Sequence, residues 1–274
     1  MFKRIAMLGM KRYSEIDGTS RGAAFAYYAF FSLFPLTVLF VTIGSLFLEQ
    51  GRAIQLVIGY AEKYVPLETE MKRTVFDTIS GVVKTRGQVG LIAGLVLVWG
   101  SLRFFRALVR GTNRAWKSEV YNWWQMPLKS LQLLGVLGSA LLIGLVFPLA
   151  ATFLEKLLPP LDGMVEWGTA LAVAAVPTLV LFYGVVVFYR LAPRRATSFA
   201  EVWPAALVVT IVLRGLETLF MLYLQNFGKF NVVYGTFAGI MALLMWIYLS
   251  GCVIIMGTCL AAAGAELKKA DSAK

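Results

Sequence analysis

Two opposite charges stand inside an apolar run. In VVTIVLRGLETLFMLY, Val208–Tyr223, Arg214 and Glu217 lie three residues apart among aliphatic and aromatic side chains. On a helix that spacing puts both on one face, where they can pair. A charge at the centre of a membrane span costs about 2.5–3.5 kcal/mol on insertion scales, and pairing lowers that cost without removing it. The two are therefore expected to face a bundle interior or a watery cavity rather than lipid. Two roles fit. One is a structural ion pair that sets helix packing. The other is a place on a substrate path, with Arg214 holding an anionic headgroup and Glu217 orienting it or relaying a proton.

A second constellation lies in SLRFFRALVRGTNRAWK. Arg103, Arg106, Arg110, Arg114 and Lys117 recur at intervals of three and four, which on a continuous helix makes a cationic stripe. Guanidinium forks match phosphate oxygens, so anionic lipid headgroups are the expected ligand. The same residues also serve as ordinary positive anchoring of a membrane span. RNA is not expected, since Trp123 and Trp124 in YNWWQ read as an interfacial belt, not as exposed stacking platforms.

The chain has no histidine. Histidine-based metalloprotease and nuclease sites are excluded, and no catalytic residue, metal site or cofactor is expected. Ser32 has no histidine or lysine partner for nucleophilic catalysis. It is instead grouped with Pro35, Pro177 and Pro204 as a kink or gate position, because a proline inside a span frees a backbone carbonyl that neighbours must satisfy. Pro148 falls in a fourth span. Cys252 and Cys259 are about 10 Å apart if helical, beyond disulfide reach.

The elements that must position these residues are membrane helices. Of the 274 residues 59% are hydrophobic and 15% charged, and the mean hydropathy is +0.73. That excess is too large for the core of a soluble domain of this length. Six apolar segments are long enough to span: 23–48, 88–108, 130–154, 166–189, 201–224 and 234–264. The fold class is therefore all-α, a polytopic transmembrane bundle in one domain. Residues 1–22 form a basic N-terminus and 265–274 a tail. The 49–87 loop carries two apolar stripes at helical spacing, broken by Pro66, and reads as short amphipathic helices. Placing both termini in the cytoplasm leaves 17 basic residues inside and 8 outside, with Arg214 within a span completing the 26. The positive-inside bias favours that orientation. Gly90/Gly94 and Gly235/Gly239 give two GxxxG spacings that allow close helix approach.

AAFAYYAFFSLFPL at 23–36, YRLAP at 189–193, and LYLQNF followed by VVYGTFAGIMALLMWIYLSG at 222–251 resemble the YihY/BrkB family over about residues 20–265. The resemblance implies a six-helix bacterial inner-membrane protein with cytoplasmic termini and a role at the envelope, in serum resistance or lipid-related export. The family's older label, ribonuclease BN, sits badly here, since the metal-dependent nuclease of that name needs a histidine cluster. Relatives end the last span with Gly-Ala-Glu about eleven residues after the Trp. From Trp246 that spacing lands on Gly257-Thr258-Cys259, while Gly264-Ala265-Glu266 follows seven residues later. Either the register shifts by two turns or Cys259 takes the acidic position.

The expected function is transport or facilitation of a lipid or another amphipathic anion, without enzymatic activity. The expected partners are anionic membrane lipids and a periplasmic lipid-transfer protein, with oligomerisation left open and nucleic acid excluded. The alternative is a non-transporting scaffold that docks a periplasmic partner through the 49–87 loop.

Overall fold

The computed structural model describes residues 2–47, 86–118, 122, 125, 127–136, 139, 163–227 and 231–272. Every regular element among the described residues is an α-helix. In chain order they are α1, Phe2–Glu15; α2, Gly18–Phe47; α3, Arg86–Ala115; α4, Gly163–Leu191; α5, Phe199–Phe227; and α6, Asn231–Ser272. Residues 127–136 are also helical.

Five of the six apolar segments lie in α2 to α6, and each of these helices runs past the apolar stretch at one or both ends. The sixth, 130–154, is described only at 130–136 and 139, so most of it, with Pro148, lies outside the described residues. So does the expected amphipathic loop, of which only Arg86 and Gly87 are described, opening α3. The tail expected at 265–274 is helical as far as Ser272, where α6 ends. Residues 261–270, AAAGAELKKA, are rich in the strongest helix formers and carry no proline to stop the helix.

Two stretches among the described residues are long and apolar enough to cross a membrane, Phe199–Leu224 and Gly239–Asp271, with mean hydropathies of 1.9 and 2.2. Only 22% and 17% of their most apolar windows are buried. The core helix of a soluble protein would bury most of such a window. Ala175–Leu191 is a shorter apolar helical stretch.

The chain forms two compact units. The first comprises Met1–Gly22, Phe105–Gly215 and Ser250–Lys274, and the second Ala23–Phe104 and Leu216–Leu249. In the first, Val109, Leu133, Tyr189, Val202, Ala206, Val209, Ile255 and Cys259 are buried. Gly9 lets α1 lie against α6, since a Cβ there would come within 2.7 Å of Leu260, whereas one at Gly264 would make only ordinary contact with Ile5. In the second unit the described contacts are largely aromatic. Phe25 and Phe104 tilt together at 4.5 Å, Tyr28 meets Trp99 edge-on, and Phe220 stacks on Trp246 at 5.2 Å.

Candidate functional site

The first unit holds a connected set of buried polar groups around the end of α3. The helix closes with the backbone pattern of a Schellman cap: Ser118 N donates to Asn113 O at 2.9 Å and Lys117 N to Arg114 O at 3.1 Å. Lys117, in the turn that follows the helix, has φ +52°, in the left-handed region. Glycine is the usual residue there, because a Cβ is strained in that conformation.

Asn113, fully buried, binds in four directions. Its Nδ2 donates to Val109 O at 2.9 Å and to Ala192 O, beyond the end of α4, at 3.2 Å. Its Oδ1 accepts from Ser118 Oγ at 2.9 Å and from Arg194 N at 2.8 Å. One amide thereby satisfies the chain on both sides of a helix–loop junction, where unpaired backbone groups would be costly. The loop is fastened further by Thr197 Oγ1, which donates to Tyr189 O at 3.3 Å. It then enters α5 through Ser198. The Glu201 carboxylate reaches back to Ser198 N at 3.0 Å, the acidic half of a capping box. Its other oxygen accepts from Arg195 Nη2 at 2.9 Å, and the Arg195 guanidinium lies 5.1 Å from the Trp116 ring centroid.

Helix α6 joins this network through two hydroxyls. Tyr189, with no exposed surface, donates its phenol to Ile254 O at 2.7 Å. Gly257, one turn on, leaves the room: a Cβ there would run into the Tyr189 hydroxyl and Val209. Thr112 of α3 and Thr258 of α6, both buried, bring their hydroxyls to 3.4 Å.

The charged member is Arg12 of α1. Its side chain is 6% exposed and pairs with Glu266 of α6, which is half-exposed. Nη1 also donates to Ala115 O, the last residue of α3, at 3.3 Å. Lys117 Nζ lies 3.8 Å from the same Glu266 carboxylate. Burial holds the Arg12 guanidinium below its ordinary value, with Cys259 and Glu15 acting in the opposite sense. Glu266, in the Gly-Ala-Glu triplet, thus supplies the acidic partner of Arg12, and Cys259 lies buried two turns earlier on the same helix.

The residues expected from sequence are placed as follows. Arg103, Arg106, Arg110 and Arg114 all lie on α3; Arg106 is half-buried and the other three are exposed. Lys117 is a correction, since α3 ends at Ala115 and the turn carries Lys117 to Glu266 instead of extending the stripe. Arg103 lies over the Trp99 ring at 5.3 Å. Arg214 and Glu217 are each half-buried on α5. Ser32 Oγ donates to Tyr28 O at 2.6 Å, the back-bond expected from sequence. Pro35 lies within α2, Pro177 within α4 and Pro204 within α5. Of the GxxxG glycines, Gly94 and Gly239 are placed where an added Cβ would meet nothing within 4 Å among the described residues. Close approach falls elsewhere, at Gly100 against Ser32 Oγ and at Gly257.

Asn113 and Tyr189 were not legible as site residues. The only signal for Asn113 is an uncharged amide on a helix otherwise studded with arginine, one turn from buried Val109.

A wholly helical set of described elements, with two apolar helical stretches of membrane-crossing length that are mostly unburied, fits a membrane protein. The chain belongs to the family described as virulence factor BrkB, whose signature it matches over residues 10–274. It is 28% identical over 263 residues to YfkH of Bacillus subtilis, a protein named as ribonuclease-like, covering 90% of each chain. It is 26% identical over 278 residues to a UPF0761 membrane protein of Alteromonas mediterranea, covering 96% of this chain and 90% of that one. A UPF0761 membrane protein of Neisseria meningitidis serogroup B is 25% identical over 255 residues. There the match covers 92% of this chain but 61% of the relative, so this chain spans under two thirds of that protein's length. No solved structure matches.

Proposed function

We propose that this chain is a six-span protein of the bacterial inner membrane, with both termini cytoplasmic, that transports or facilitates the passage of a lipid or another amphipathic anion. The observation that carries the reading is the pair of half-buried charges, Arg214 and Glu217, in an α5 stretch apolar enough to cross a membrane. Ionisable groups at such positions mark substrate or ion paths far more often than lipid-facing surface. Arg214 offers the planar donor set that an anionic headgroup needs. The exposed cations of α3 supply a basic surface for an inner leaflet.

The test is flux. Purified protein is reconstituted into vesicles containing a fluorescent phosphatidylglycerol, and its movement between leaflets is timed by dithionite quenching. Wild-type protein is expected to speed the movement, and Arg214→Gln and Glu217→Gln each to slow it by about tenfold, the equivalent of one lost charge-assisted contact. No acceleration by wild-type protein over empty vesicles, across anionic and zwitterionic lipids, would favour the scaffold alternative.

A further inference from the structure

We infer that Arg21, Arg110 and Arg114 form a binding site for a phosphate group, carried by a phospholipid headgroup or free in solution. The site is assembled from two helices of the first unit. Arg21, in the first turn of α2, lies along α3 at Gly111, where an added Cβ would come within 3.2 Å of its Cδ. The glycine therefore makes the space for the arginine stem. Arg110 and Arg114 stand on either side of Gly111, four residues apart and both exposed. Arg21 is held by its Nε, which donates to Ile16 O at 2.7 Å. That bond orients the side chain and uses one of its five donors.

Three guanidiniums are thereby gathered with little to balance them. Among the described residues none of the three enters an ion pair. Burial foremost, then the charge of Arg114, hold Arg21 below its ordinary value; Asp17 acts the other way, and Arg110 adds to the lowering. Like charges brought together repel, and an anion that bridges them relieves the repulsion. Phosphate suits best, because several of its oxygens can accept from separate guanidinium forks.

The position favours the headgroup as its source. Arg21 lies two residues before the apolar segment that opens at 23, and Arg110 lies two residues after the one that closes at 108. Both therefore sit where a membrane helix meets the headgroup layer. This deepens the lipid reading above by placing the headgroup, but its test needs no flux, so the two fail separately.

Native mass spectrometry of the full chain in detergent, with phosphatidylglycerol or phosphatidylcholine added, counts bound lipid. Arg21→Gln, Arg110→Gln and Arg114→Gln are each expected to lower the phosphatidylglycerol adduct by about fivefold, the usual worth of one near-surface basic residue on an anionic lipid. Lys268→Gln, the same charge change on the exposed end of α6, should leave it within about twofold. Arg110→Gln and Arg114→Gln alter exposed side chains, so they keep the proposal testable if Arg21→Gln unfolds. Adding inorganic phosphate separates the sources: displacement of the lipid assigns the site to a free phosphate, and persistence of the lipid assigns it to the headgroup. Losses at Arg110 and Arg114 no larger than at Lys268, or equal binding of phosphatidylcholine, would overturn the site.

Discussion

The two units are held together by different means. The first is tied by long-range polar bonds: Asn113 to Ala192 and Arg194, Tyr189 to Ile254, and Arg12 to Glu266 and Ala115. Among the described residues, nearly all the buried apolar side chains belong to it, the exceptions in the second being Phe25, Ala26 and Ile247. Among its described residues the second unit is tied by aromatic rings, and it exposes Leu91, Leu95, Leu219 and Met245 by more than 60% of their surface, as the first exposes Met7, Met10, Leu128 and Ile211. Where segments meet water, apolar burial and paired polar groups drive packing. In lipid an exposed leucine costs nothing, so association there rests on ring contacts and close backbone approach.

The largest test of that contrast is Asn113→Ala. It strips partners from Ala192 O, Arg194 N and Ser118 Oγ at once and should destabilise the protein by about 3 kcal/mol. Phe220→Leu, in the second unit, removes one ring stack and should cost about 1 kcal/mol. Unfolding in mixed detergent micelles, titrated with dodecyl sulfate and followed by tryptophan fluorescence, reads both. If the two losses are equal, the polar network has no special weight.

Gly257→Val comes next. The added methyls collide with the Tyr189 hydroxyl and Val209, and the cost expected is about 2 kcal/mol. Gly239→Ala adds a methyl where nothing lies within 4 Å among the described residues, and a change below about 0.5 kcal/mol is expected. A large loss at Gly239 would instead restore the close approach expected from its GxxxG spacing.

The smallest effect is a gain. Lys117→Gly relieves a left-handed residue and should stabilise by about 1 kcal/mol, less the contribution of the exposed contact to Glu266, which is worth a few tenths. The same micelle titration measures it. Destabilisation would show that Lys117 matters more as a partner of Glu266 than as a strained cap.

The sequence by itself determined what is local or additive. Hydropathy over windows of about 20 residues marked the apolar segments, because crossing a bilayer requires that length. The motifs at 23–36, 189–193 and 222–251 pointed to the family. The back-bond of Ser32 to Tyr28 was legible because it spans four residues of one helix.

What the sequence could not determine is pairing across distance. Thr112 and Thr258 are 146 residues apart, and Asn113 and Ala192 are 79 apart; no periodicity links such positions. Lys117 kept helical spacing with the stripe, yet the chain turned before reaching it, since a spacing does not reveal where a helix ends. Arg21 counted in sequence only as one more basic residue. The tertiary structure alone brings it onto Gly111 beside Arg110 and Arg114, because a guanidinium's neighbours are chosen by how helices pack and not by the order in which they are written.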